Sequence, residues 1–350
     1  MGVKHENLCL LSTLNVYNEF LIIKRRITVG GGSWSSKDWA SYSSSTVGKS
    51  TDKIFTTKGA AKDHLSPKSV AVRESRDSVD NPNSTAIIVD LDVTGSMGMI
   101  ADNIAREGLG ILFSEILERK PVTDPHLMFM ANGDAYCDDY PLQVSQFEAD
   151  NRIIEQLTDI FIEKRGGGNN FESYDLPWYF AARHTSIDCF EKRGKKGYIF
   201  TVGDEEAPPG LTAEQIKRFV GDDISQDISS KEIFQMVSKM YNVFHIVIEQ
   251  GNHCMNGSKD RVIESWGKLI GPQRVLPLSD YTKLSEVIVS AIQVTEGVAT
   301  ATISKTWSGS TAMVVAKAVA GMSSSTDVAV KRNGVVRFDK DKKSKTRATA

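Results

Sequence analysis

From Ser84 to roughly Glu296 the sequence alternates short, β-branched apolar runs with longer segments whose apolar residues recur at helical spacing. Parallel strands need crossover connections, so such an alternation is expected to fold as an α/β protein. The expected architecture is a doubly wound, mostly parallel sheet with one antiparallel edge strand. Strands are read at residues 86–92, 127–131, 198–202, 243–249 and 274–278. A further edge strand at 141–147 is reached by a hairpin through Asn132-Gly133-Asp134. Helices are read at 99–119, 150–164, 176–184, 213–220, 231–241, 261–270 and 281–294. In the first of these, Ile100, Ile104, Leu109, Leu112, Phe113 and Ile116 are spaced for burial against a sheet. Ligands of such sheets sit outside the carboxyl ends of the strands.

The flanks read differently. Residues 1–83 are expected to form a partly irregular arm, because the serine- and glycine-rich stretch 29–53 has little to bury. Arg26-Ile27-Thr28-Val29-Gly30 would make a natural beginning for the chain. Residues 84–296 form the main domain. A C-terminal extension follows at 297–338, in which 299–307, 311–320 and 335–338 read as strands or short helices. The charged tail 339–350 is expected to be disordered. With 350 residues, 40% of them hydrophobic, the chain can bury a sizeable core. A net charge of −2 gives no basic footprint for nucleic acid. The four cysteines, Cys9, Cys137, Cys189 and Cys254, show no paired spacing, which argues against a zinc ribbon or a disulfide framework and fits a reducing cytosol. No apolar run reaches the ~18 residues needed to span a bilayer. A cytoplasmic protein, or a virion-associated one if phage-encoded, is expected.

The chemistry concentrates where the first strand ends, at Asp92-Val93-Thr94-Gly95-Ser96. Alternate residues of an extended turn aim the Asp92 carboxylate and the Thr94 and Ser96 hydroxyls the same way, and Mg²⁺ takes such hard oxygen ligands at ~2.0–2.1 Å. The structural alternative is that Thr94 and Ser96 cap the next helix while Asp92 accepts backbone amides. Asp90 lies one pleat earlier on the same face, as a buried acceptor orienting the site or an ordinary strand-end residue.

The D-x-T-x-S turn resembles the metal-ion-dependent adhesion site of von Willebrand factor type A domains of the bacterial or phage intracellular kind. The resemblance covers roughly residues 84–296 and implies a Rossmann-like sheet with a three-loop metal site. Asp204, at the exit of Tyr198-Ile199-Phe200-Thr201-Val202-Gly203, stands where the family places its second metal aspartate. Many relatives carry aspartate where this chain has Val202, and Glu205 or Glu206 could substitute if Asp204 points away. The second loop departs from the family, since Gly166-Gly167-Gly168-Asn169-Asn170-Phe171-Glu172-Ser173 supplies no threonine. Counting back from the next helix selects Glu172, with Ser173 beside it; counting forward from the glycines selects Asn169. Glu172 is preferred. A third carboxylate would hold the ion more tightly while weakening its pull on an outside acid. Without a metal, Glu172 would serve as a first-turn helix acid, Asp204 as a loop acid, and Asn169 as a turn residue.

Other chemistries find less support. His184, His245 and His253 lack metal-ligand spacing, His253-Cys254 is a poor base–nucleophile pair, and the serine turn lacks G-x-S-x-G. The glycine run carries no G-K-[ST] lysine, and the basic run 192–196 reads as a solvated turn. The expectation is a non-catalytic module. Mg²⁺, or Mn²⁺ or Ca²⁺, would be held by Asp92, Thr94, Ser96, Glu172 and Asp204, and the carboxylate of a protein partner would complete the coordination. The resemblance implies a MoxR-type AAA+ ATPase as one such partner, with no nucleic acid and no membrane. The alternatives are a metal-dependent phosphohydrolase and a structural or virion-associated protein with a closed site.

Overall fold

The structure is a computed structural model that describes residues 32, 36–46, 48–55, 57–95, 97–163 and 169–322. Ser96, the glycine run 166–168, the segment 335–338, the tail 339–350 and the proposed natural beginning at 26–30 lie outside the described residues. Six strands form the main sheet: β1 (Thr85–Asp92), β2 (Pro125–Asn132), β3 (Leu142–Val144), β4 (Gly197–Gly203), β5 (Tyr241–Ile248) and β6 (Val275–Leu278). Their order is β3-β2-β1-β4-β5-β6, with β3 antiparallel to β2 and every other pair parallel. This is the doubly wound α/β arrangement with one antiparallel edge strand that the alternation predicts. The order reverses at β1, so the switch point of the sheet falls at the end of that strand, where such folds bind ligands.

The principal helices are α1 (Ser36–Thr46), α2 (Gly98–Asn103), α3 (Leu109–Arg119), α4 (Arg152–Thr158), α5 (Asp175–Arg183), α6 (Ala213–Phe219), α7 (Ser230–Val237), α8 (Lys259–Ile270), α9 (Leu284–Thr295) and α10 (Gly309–Val319). Side-chain alternation along β1 divides the core in two. Ile87, Val89 and Leu91 pack with residues of α2, α3, α4, α9 and α10 on one face. Ala86 and Ile88 pack with residues of α5, α6, α7 and α8 on the other. Asp90 and Asp92 share the parity of Ala86 and Ile88, which turns them toward the α5 side. Ile54, Phe55 and Leu65, ahead of the sheet, are buried in the first core, as are Val314, Val315, Ala318 and Val319 of α10.

Several boundaries differ from expectation for local reasons. The helix expected over 150–164 ends at Thr158, because the Gln143 side chain of β3 takes both backbone groups of Phe161: its amide donates to the Phe161 carbonyl and its oxygen accepts from the Phe161 N–H, each at 2.8 Å. The helix expected over 231–241 ends at Val237, since Tyr241 is already paired with Gly197 in the sheet. The helix after β1 passes through a π-turn at Ile104–Gly108, where the Ser285 hydroxyl donates to the Gly108 carbonyl at 2.6 Å. After Gly297 the described segments are helical, in keeping with their alanine content. No helix among the described residues is long and apolar enough to cross a membrane.

Candidate functional site

Asp92 is the last residue of β1 and is 1% exposed. Its Oδ1 accepts from the Thr94 backbone N–H at 2.9 Å and from the Thr94 hydroxyl at 2.6 Å, a tight turn that directs both side chains to one place. Its Oδ2 accepts from the Tyr174 hydroxyl at 2.9 Å. The backbone-amide part of the structural alternative is therefore present. Thr94 does not cap α2, whose N-cap is Met97 without a side-chain bond. Burial raises the Asp92 carboxyl above its ordinary range, and the charge of Asp204 adds to this against the Thr94 and Tyr174 hydrogen bonds.

Glu172 stands three residues ahead of α5 and is 2% exposed. Its Oε2 is buried with no hydrogen-bond partner. Burial and the charges of Asp92, Glu205, Asp134 and Asp138 push this carboxyl far above the carboxylate range. Ser173 and Asn169 are turned to neighbours. The Ser173 hydroxyl accepts from the Ala135 N–H at 2.9 Å, joining this loop to the one after β2. Asn169 donates to Asp134 Oδ2 at 2.8 Å.

Asp204, directly after β4, is buried, but its Oδ2 accepts from the His253 N–H at 2.7 Å. Gly251 makes this possible, since a methyl group there would overlap the Asp204 carboxylate. Asp204 thus fastens the loop after β5 and contributes to the centre through its charge on Asp92 and Glu205. Glu205 faces the centre instead. Its Oε2 is buried without a partner, and burial together with Asp92, Asp204 and Asp134 pushes its carboxyl up to about 8. Glu206 is turned outward to Arg261 at 2.6 Å.

Two acids that sequence reasoning missed complete the rim. Asp134 and Asp138 lie in the loop after β2, where Asp138 Oδ2 accepts from the Asp134 N–H at 2.8 Å. The signal available was the carboxyl end of β2, which pairs Asn132 with Asp92. Asp90 lies deeper, fully buried; its Oδ2 accepts from the Asn132 amide, its Oδ1 has no partner, and burial raises its carboxyl well above the usual value.

The donors gathered here are oxygens, which suit Mg²⁺, Mn²⁺ or Ca²⁺ better than softer metals. Of the imidazoles nearby, His245 shares a 2.9 Å hydrogen bond with Thr201, and His253 meets Asp204 through its backbone N–H. Among the described residues, no three His, Cys, Asp or Glu side chains already form an ion-binding group. Glu172, buried, unpartnered and beside four other acids, is the feature that a cation would satisfy.

No protein-family model matches the sequence, and no curated protein matches it. Solved structures similar to the chain include the pilus adhesin SpaC of Lactobacillus rhamnosus GG, at 9% identity and a TM-score of 0.41 over 63% of this chain and 32% of that one. A von Willebrand factor type A protein from Catenulispora acidiphila is similar at 13% identity and a TM-score of 0.34, over 61% of this chain and 43% of that one. BatB from Bacteroides thetaiotaomicron is similar at 11% identity and a TM-score of 0.35, over 63% of this chain and 99% of that one. The matched region spans about a third of the adhesin. Likenesses of this size carry no function.

Proposed function

We propose that the chain is a divalent-cation-dependent protein-binding module without catalysis of its own. The reading rests chiefly on Glu172, whose buried Oε2 lacks a partner at the sheet's switch point, where other carboxylates converge. An unpaired buried carboxylate is costly, and a bound Mg²⁺ would remove that cost. Asp92, Thr94, Ser96 and Glu172 would hold the ion, with Asp204 and Glu205 supplying charge around it. The ion would supply a Lewis-acidic position that a partner's oxygen can complete. The chain's own residues orient these side chains, and Asp92 and Glu172 are both buried.

The partner is a protein presenting an acidic side chain, and a MoxR-type AAA+ ATPase is the kind that the family resemblance suggests. The surplus of carboxylates favours tight retention of the ion over strong capture of the partner. A pull-down with and without Mg²⁺, comparing wild type with Asp92→Ala and Glu172→Thr, tests the reading. Recovery of a partner that depends on Mg²⁺ and on Asp92 is expected. Recovery indifferent to the ion and to both substitutions would leave the centre a purely structural one.

A further inference from the structure

Asp92 is gripped from both sides. Thr94 holds Oδ1 through its N–H and its hydroxyl, and the Tyr174 hydroxyl holds Oδ2 at 2.9 Å, so the carboxylate cannot turn about its own axis. The Thr94 contacts are local, two residues along the chain. The Tyr174 contact spans 82 residues and ties the end of β1 to the loop that carries Glu172.

Tyr174 is itself immobilised. It is fully buried, with its ring edge-on to His245 at 5.1 Å and to Trp266 at 5.5 Å. His245 stacks on Trp266 with ring centroids 3.6 Å apart and planes 12° apart. The Trp266 indole N–H donates to the Glu205 carbonyl at 2.9 Å, which brings this aromatic group back to the loop after β4. At the end of β4, Gly203 leaves the space that the phenol oxygen fills, for a methyl group there would overlap it.

The chemistry of the donor matters as much as its position. A lysine or arginine beside Asp92 would neutralise it and take the place of a cation. A phenol donates one proton, keeps the carboxylate's charge, and leaves the second lone pair of Oδ2 for a cation. We propose that Tyr174 is a positioning residue of this centre: its hydroxyl holds the Asp92 carboxylate in the orientation from which a divalent cation is bound. The inference rests on the metal reading above and adds to it a residue of the aromatic core that acts through Asp92 rather than on the ion itself.

Tyr174→Phe removes the hydroxyl and keeps the ring, so it separates orientation from packing. Mn²⁺ is titrated into wild type and variant, with the free ion followed by electron paramagnetic resonance and the metal-free unfolding midpoint measured alongside. The expected result is a dissociation constant raised roughly tenfold, the loss of about one hydrogen bond to a charged group, with the metal-free midpoint within a few degrees of wild type. A folded variant that binds Mn²⁺ as tightly as wild type overturns the role of Tyr174 and leaves the metal reading standing. Wild type that takes up no Mn²⁺ overturns both. Should Tyr174→Phe fail to fold, wild type decides: its tyrosine and tryptophan near-ultraviolet circular dichroism should change in step with Mn²⁺ uptake, and an unchanged spectrum at saturation overturns the proposal.

Discussion

Two groups of carboxylates in this molecule receive opposite treatment. Beside the two-stranded ribbon of Arg73–Ser75 and Thr185–Ile187, Asp77, Asp188 and Glu191 meet Arg76, Lys192 and Arg193. Burial of Asp188 is outweighed by hydrogen bonds from Lys192, the Asp77 N–H and Arg76, so its carboxyl lies below the ordinary range. Glu191 is lowered in the same way by Ser186 and Arg76, and Asp77 by Arg193 and Ser84. At the carboxyl end of the sheet, Asp92, Glu172, Asp204 and Glu205 are all raised, with burial the leading cause in each. The residue types are the same. One group has its cations built into the chain and serves stability; the other is expected to obtain its cation from solution.

The comparison can be broken most sharply at Asp92. Asp92→Ala should weaken Mn²⁺ binding by at least about a hundredfold, since it removes the carboxylate around which the D-x-T-x-S turn is organised. Competition for Mn²⁺ against a fluorescent chelator measures this, and an unchanged affinity would show that the two groups are alike after all. At the other group, Arg76→Met should destabilise the protein by about 1–3 kcal/mol in urea unfolding, because it leaves the buried Asp188 with one cation fewer. Its metal affinity should not change.

Glu172→Gln should act in the opposite sense on stability. Near pH 8 and without metal it should stabilise the chain by about 1 kcal/mol, because it replaces an unpaired buried carboxyl with a neutral group of the same shape. The same substitution should weaken metal binding, so a variant that is stabilised yet binds as wild type would remove Glu172 from the ligand set. The same carboxyls set a dependence on pH. A carboxyl raised on folding binds more protons in the native state, so stability falls as pH rises through the window between its unfolded and folded values. With Glu205 raised to about 8 and Asp92 and Glu172 raised by burial, the metal-free protein should lose stability steadily from pH 6 to pH 8 in urea unfolding. The Asp188 group predicts the reverse, with stability lost only in acid. A flat metal-free profile over this range would contradict the electrostatic difference between the two groups.

How much of this could be read from the sequence depends on how far each fact lies along the chain. The sheet was legible because alternation of short apolar runs with helical segments is a local pattern, and the hairpin at Asn132-Gly133 marks its antiparallel edge. Asp92 was legible because a short β-branched run ends there and opens the D-x-T-x-S turn. Asp134 and Asp138 were not, since their relation to Asp92 arises only from the pairing of β1 with β2. The exit of β4 depends on a single residue of phase: Asp204 turns to the His253 N–H while Glu205 faces the other acids. Tyr174 carries no signal of its own, because a tyrosine before an apolar helix reads as core, and it is core except for its hydroxyl. The short helix α4 was misjudged for a similar reason, because the Gln143 amide that ends it comes from a different strand.

The central claim is that the carboxyl end of the sheet holds a divalent cation, and thermal unfolding near pH 8 in excess Mg²⁺ or in chelator tests it most directly. An ion bound only by the native state stabilises it by about 2.7 kcal/mol when present at a hundred times its dissociation constant. The unfolding midpoint of wild type should rise by several degrees with Mg²⁺, and that of Asp92→Ala should not rise. Equal midpoints for wild type in Mg²⁺ and in chelator, or the same rise in both proteins, would contradict it.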